Sequence, residues 1–272
     1  MLDPPVIDAH HHFGGPAPSD AHGPDELWPE LQTERITGTV VSVSEPSTER
    51  TRELLALAAS VSWVKGVVGW VDLTEADVAA TISSLFDGLG GDLLVGLRHP
   101  VCDEADPDWL SRADVRRGLG AVAESGLTFD LGVRTRELPA ATDACAAMPD
   151  VRFVLEHLAS PPIASGDLSA WGGAMLEAAE LPNVSATLSG LVSEADPLTW
   201  SIDDLRHPVE LAVDAFGPER LMLGSDWPHC LVSGTYGDVI DSVRYLLAEL
   251  PEHQQDEIRG TTAVHVYQLA ND

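Results

Sequence analysis

The sequence predicts an α/β fold, a (β/α)8 TIM-like barrel, on three observations. Eight short β-branched runs recur along its 272 residues. Longer stretches with helical apolar spacing separate them. Turn residues punctuate the junctions, with Gly126, Pro149-Asp150, Pro182-Asn183 and Gly217-Pro218 falling directly before strands. Strands that alternate with helices pair in parallel through right-handed crossovers, and eight such units close a barrel. The length suits one barrel domain spanning 1–272.

In order, the expected strands are Val6 to His10, Thr39 to Val43, Val67 to Val71, Leu94 to Arg98, Thr128 to Val133, Arg152 to His157, Val184 to Ser189 and Leu221 to Asp226. Between the second and third, Thr48 to Ser62 places Leu54, Leu55, Leu57, Ala58 and Val61 on one stripe behind an acidic first turn at Glu49. After the eighth, Asp238 to Leu250 aligns Val239, Val243, Leu246, Leu247 and Leu250, and Pro251 stops it. Two segments break this alternation: Gly14 to Gln32 after the first strand and Ser160 to Ser169 after the sixth. Both leave C-terminal strand ends, where barrel loops wall the pocket.

The totals exclude several partner classes. A formal charge of -29 repels nucleic acid and anionic membrane at long range, which leaves a small molecule as the expected partner. No apolar run approaches the ~18 residues of a membrane helix, and Met-Leu-Asp-Pro-Pro lacks the basic and apolar regions of a signal peptide. Cys102, Cys145 and Cys230 are odd in number and widely spaced, as expected of reduced thiols rather than a disulfide frame. A cytoplasmic location is therefore expected. The single lysine, Lys65, precedes the third expected strand, at the end opposite a barrel's active site, so lysine chemistry is not expected.

The chemistry concentrates where strands end. Alternation places Asp8, His10 and His12 on one side of the first strand and a structural His11 on the other. Two imidazoles two residues apart can grip a divalent cation or a carbonyl oxygen. The same rim receives Trp70 and Asp72, Arg98 and His99, Asp130, Glu156 and His157, Ser189, and Ser225 with Asp226 and Trp227. Asp72 and Asp130 also suit turns or caps. Arg98 either binds substrate or pairs with Glu156 or Asp130, and Trp70 and Trp227 line either a pocket or the core. Asp226 ends an apolar run, where an unpaired carboxylate would be costly.

Ile7-Asp8-Ala9-His10-His11-His12-Phe13, Val154-Leu155-Glu156-His157, Leu188-Ser189-Gly190-Leu191 and Gly224-Ser225-Asp226-Trp227-Pro228 together resemble the amidohydrolase superfamily. They are most similar to its lactonase branch, the fuconolactonase-like and pyrone-dicarboxylate lactonases. Supporting blocks run from Gly66 to Leu73, Gly96 to His99 and Gly126 to Leu131, so the resemblance spans nearly the whole chain. It implies a distorted barrel in which His10, His12, His157 and Asp226 face substrate and Asp226 activates water. It also implies His10 and His12, with Asp226, as ligands of any metal. The fifth strand offers Asp130 where relatives often have histidine, and the fourth has no lysine, so a single zinc or manganese ion, or metal-free catalysis, is expected. Thr187, Cys102 and Val43 depart from the sugar-lactonase pattern and alter the pocket lining.

The expected function is therefore a hydrolase that opens a lactone or related cyclic ester by Asp226-activated water attack, a carboxylic ester hydrolase. His157 would ligate the metal or bind the oxyanion, and Arg98, His99, Trp70, Asp130 and Trp227 would contact substrate. No Gly-x-Ser-x-Gly elbow occurs, in keeping with direct attack by water. A metal-dependent decarboxylase or hydratase of an aromatic acid, and an inactive binding relative, are the alternatives.

Overall fold

The computed structural model describes residues 4–14, 22–106 and 108–270. Eight strands form one parallel sheet in sequential order: β1 Ile7–His11, β2 Gly38–Ser42, β3 Val64–Gly69, β4 Leu94–His99, β5 Thr128–Leu131, β6 Arg152–Leu155, β7 Val184–Leu188 and β8 Leu221–Leu223. The expected (β/α)8 barrel is present. Main-chain bonds beyond the ladder close it: His12 N–H donates to the Trp227 carbonyl at 2.7 Å and Asp226 N–H to the His10 carbonyl at 2.9 Å.

The strand interiors meet the period-2 expectation. Ile7, Ala9, Val40, Val68, Val154 and Met222 pack together inside the ring, plugged by Val266, Tyr267 and Leu269 from the C-terminal segment. Phe129, Phe153, Leu155, Leu188 and Leu223 join the outer core beneath the helices. Those helices include α1 Pro24–Thr33, α2 Thr48–Ala58, α3 Val78–Phe86, α4 Ala113–Glu124, α5 Leu138–Ala147, α6 Ser169–Ala179, α7 Ile202–Phe216 and α8 Tyr236–Leu247.

Several boundaries shift. The β3 strand begins at Val64 and contains Lys65 near its N-terminal end. The Ser47 hydroxyl caps α2 through Arg50 N–H, and that helix ends at Ala58, before the expected Ser62. A Thr235–Asp238 capping box moves the start of α8 back to Tyr236. The expected loop Gly14 to Gln32 holds α1, whose buried Leu27 and Leu31 supply the stripe; its residues 15–21 lie outside the described residues. Among the described residues, no helix is long and apolar enough to cross a membrane.

Candidate active site

β1 delivers its histidines through an irregularity. Its register against β2 shifts between Asp8 and His11, which breaks strict alternation. Asp8 therefore does not share the side of His10 and His12. Its carboxylate instead accepts bonds from Ser225 N–H (2.9 Å), Ser225 Oγ (2.6 Å) and the Tyr236 hydroxyl (3.1 Å). Burial pushes this carboxyl up to about 6 even though those donors pull it down. Asp8 thus clamps the turn that carries Asp226. His11 is the outward residue, bonded to Thr39 Oγ1 at 2.9 Å and packed on Phe13.

The β8 strand stops at Leu223, so Asp226 projects from the turn beyond it with φ +57°. His157 sits just past β6 with φ +55°, the first of four consecutive left-handed residues ending at Ser160. For branched-Cβ-free glycine such angles are easy; for these side chains each costs on the order of 1 kcal/mol and persists only where surrounding contacts enforce it. The contacts are visible. Thr187 Oγ1 accepts from His157 N–H at 3.0 Å, Ser189 Oγ lies 2.8 Å from Thr187 Oγ1, and His157 Nδ1 lies 2.9 Å from Ser189 Oγ. Thr187, one of the departures in the lining, is thereby a positioning residue for His157.

Three imidazoles converge on one oxygen. Asp226 Oδ1 lies 3.9 Å from His12 Nε2, 4.0 Å from His157 Nε2 and 3.3 Å from His229 Nδ1. His229 lies in the turn after Pro228, beyond any strand end, where period-2 patterning gives no signal for it. Its bond to Asp226 raises its pKa. Burial holds His10 and His12 neutral, with pKa values well below the ordinary histidine range.

Hydrogen bonding fixes one tautomer. The Ser42 carbonyl can only accept, so His12 Nδ1, 2.8 Å away, carries the proton and Nε2 presents a lone pair. His10 Nε2 lies 3.2 Å from that atom, close to the ~3.3 Å edge of a tetrahedron with zinc–nitrogen bonds of ordinary length. The donor set fits a divalent cation: donor atoms within 4.8 Å of one another form two triads sharing Asp226, His10/His157/Asp226 and His12/Asp226/His229.

A cavity of about 590 Å³ opens over these groups, lined by His12, His157, Asp226, His229, Arg98 and Trp70 among others. The Arg98 guanidinium makes two bonds to Glu156, at 2.7 and 2.6 Å, and one to the Val43 carbonyl. Burial alone would raise the Glu156 carboxyl; the adjoining guanidinium outweighs it and holds the group below its ordinary value. Of the two readings of Arg98, the ion pair is present, and the side chain still reaches the cavity. Trp70 Nε1 donates to His99 Nδ1 at 3.1 Å, so His99 carries its proton on Nε2, 2.7 Å from Glu104 Oε1. With both nitrogens engaged and its ring stacked on Trp109 at 4.0 Å, His99 braces the wall formed by Trp70.

Two expected substrate contacts lie elsewhere. Trp227 is buried and packs on His22. Asp130 points into the ring below the cavity, 3.1 Å from Thr128 Oγ1 and accepting from the Tyr267 hydroxyl at 2.6 Å. Burial, then the Glu156 charge, push its carboxyl up to about 8. The folded state therefore keeps Asp130 protonated below that pH, whereas the unfolded chain ionises it above its ordinary value of 3.8. This group's contribution to stability falls as pH rises from about 4 to 8. Asp130→Asn will remove that slope and stabilise the fold at pH 7, by ~4 kcal/mol at the linkage limit, with turnover retained. Thermal unfolding of both forms at pH 5 and 8 checks this.

Gly190, at φ +65°, lies against the other side of His157: an added Cβ would sit 2.6 Å from Nδ1. Gly190→Ala will displace that imidazole and lower kcat by ~100-fold, the cost of a misplacement on the order of 1 Å, with thermal stability reduced far less in proportion. Steady-state kinetics alongside a melting curve separates the two effects.

Comparison with known proteins shows the family. The amidohydrolase family model, Amidohydro_2, matches residues 7–269. An L-fucono-1,5-lactonase of Burkholderia ambifaria is 40% identical over 85% of this chain and 83% of its own length. One from Burkholderia multivorans is 33% identical over 97% and 96%. A crystal structure of a Burkholderia multivorans amidohydrolase with bound zinc superposes with a TM-score of 0.91 at 32% identity, covering 98% of this chain and 100% of that one. A 5-carboxyvanillate decarboxylase from Sphingomonas paucimobilis, at 14% identity and a TM-score of 0.66, shares the fold alone. With its histidines, its aspartate and all but the extreme ends of its length inside that pattern, the chain belongs to the amidohydrolase family.

Proposed function

We propose that the protein is a lactonase that hydrolyses the ester of a sugar 1,5-lactone, with L-fucono-1,5-lactone the first compound to test. The observation that carries this reading is the convergence of His12, His157 and His229 on Asp226 Oδ1 at the floor of a cavity of about 590 Å³, within the range of small-ligand sites. The 40% identity to an L-fucono-1,5-lactonase supports the substrate class.

In this mechanism Asp226 accepts a proton from a water poised in the cavity while the water oxygen adds to the acyl carbon. His157 Nε2–H, aimed by Ser189 and Thr187, donates to the carbonyl oxygen as it gains charge. The acyl–oxygen bond then breaks, and Asp226 returns its proton to the ring oxygen to leave a hydroxyl and a carboxylic acid, which loses the second proton of the water to solvent and becomes a carboxylate. His10, His12, His229 and Asp226 are the side chains that would hold a divalent cation; when bound, it supplies Lewis acidity toward the carbonyl. Asp103, Glu104 and Glu194 on the cavity wall favour departure of the anionic product.

The same reading places the enzyme in the cytoplasm, where its three free thiols stay reduced. Its charge of -29 argues against a nucleic-acid partner. The test is proton release from sugar 1,5-lactones, followed with a pH indicator and corrected for spontaneous opening, with and without chelator. Acceleration by the native protein is expected; opening no faster than the buffer blank across the series would refute the assignment.

A further inference from the structure

We infer that Glu104 selects among lactones, accepting a ring hydroxyl of the substrate and rejecting lactones that carry a free carboxylate, an inference that rests on the lactonase reading above. Glu104 follows the short turn Val101–Asp103 after β4, and its side chain joins the cavity wall, 31% exposed. It shares that cavity with His157 and Asp226.

A relay of hydrogen bonds holds this carboxylate in place. Thr51 Oγ1 lies 2.8 Å from Trp70 N and 3.0 Å from the Trp70 carbonyl, which fixes the backbone that carries the indole. Trp70 Nε1–H can only donate, so His99 accepts at Nδ1 and its Nε2–H points at Glu104 Oε1, 2.7 Å away. Burial lowers the His99 pKa although the Glu104 bond pulls the other way, so the imidazole is neutral at pH 7. It thus supplies a hydrogen bond without a cation, and Glu104 keeps its charge. The other acids of the wall lack such bracing: Asp103 has the Cys102 thiol at 3.8 Å, and Glu194 has no side-chain bond among the described residues.

One oxygen of Glu104 is held and the other is open: among the described residues Oε2 has no hydrogen-bond partner. A fixed, charged acceptor suits a neutral hydroxyl, the group a sugar lactone presents around its ring. Trp70 sets an apolar face beside that acceptor, a pairing that fits the C–H face and the hydroxyls of one sugar ring. A substrate carboxylate meets a different environment. Arg98 is committed to Glu156, and Arg134 is outnumbered in the lining by Asp103, Glu104 and Glu194, so like charge turns an anionic ring away.

The test compares native chain with Glu104→Ala and with Glu104→Gln, which keeps an acceptor for His99 and removes the charge. Three 1,5-lactones are assayed: one with ring hydroxyls, unsubstituted δ-valerolactone, and δ-valerolactone bearing a carboxylate. Calorimetry on the same samples measures binding of 1,5-anhydrohexitol, a ring polyol with no ester to hydrolyse. In both variants the kcat/KM preference for the hydroxylated ring over δ-valerolactone will fall by about 10- to 100-fold, the worth of a hydrogen bond to a charged group. The loss will appear mainly in KM, and polyol affinity will fall in parallel. The carboxylated ring will gain at least ~3-fold on δ-valerolactone. An unchanged preference in Glu104→Gln, equal losses on all three lactones with a lowered melting curve, or a native chain that neither binds the polyol nor prefers the hydroxylated ring would each overturn the proposal. Polyol binding that depends on Glu104 in a protein that opens no lactone would refute the hydrolase reading and leave this assignment standing.

Discussion

Asp226→Asn will lower kcat for lactone opening by two to four orders of magnitude, the usual worth of a positioned general base, while the melting temperature changes little. The amide keeps the size of the side chain and cannot take a proton from water. Its backbone is held independently, by Asp226 N–H to the His10 carbonyl and by Asp8 clamping Ser225. KM will stay near its native value, because the loss falls on a step that follows binding. Stopped kinetics with a native-like circular dichroism spectrum is the expected pair of results; turnover within a factor of ~10 of native would remove Asp226 from the chemistry and require another base.

The largest loss of stability will come from Arg98→Met. Glu156 is 1% exposed and both its oxygens bond the guanidinium. Removing the cation leaves a buried, uncompensated carboxylate, which costs ~3–5 kcal/mol, or a melting temperature lowered by roughly 10 °C in a chain of this size. The Glu156 pKa will rise from its depressed position, so the deficit will shrink as pH falls and the carboxyl takes up a proton. Arg98→Met with Glu156→Gln will be less destabilised than Arg98→Met alone, because the orphaned charge is gone. Denaturant unfolding of the single and double variants measures the difference directly; an additive pair would show that the two side chains do not act as a unit.

Much of this architecture is legible before any coordinates, since β-branched runs and helical stripes record which faces are buried. The assignments that shift do so for local reasons. Asp8 moves to the other side because β1 and β2 slip register, which period-2 counting does not encode. Asp130 is drawn down by Tyr267, more than a hundred residues away, a contact that neither neighbourhood announces. His229 carries no strand-end signal, because it lies in the turn after Pro228. Trp227, adjacent to the reactive carboxylate in sequence, is turned away into the core by the same turn that presents Asp226. His10, His12, His157 and Asp226, by contrast, meet at the expected mouth of the barrel, although His157 and Asp226 lie just past the ends of the strands expected to carry them.

The bonds that join the first strand to the turn after the last carry a consequence for biogenesis. During synthesis the imidazole-bearing segment leaves the ribosome about two hundred residues ahead of its carboxylate counterpart. Helical hairpins and neighbouring strands can assemble progressively, but the reaction centre has to wait for contacts between residues 217 positions apart, a slow kind to form. On dilution from denaturant, recovery of turnover should therefore lag behind recovery of helical signal.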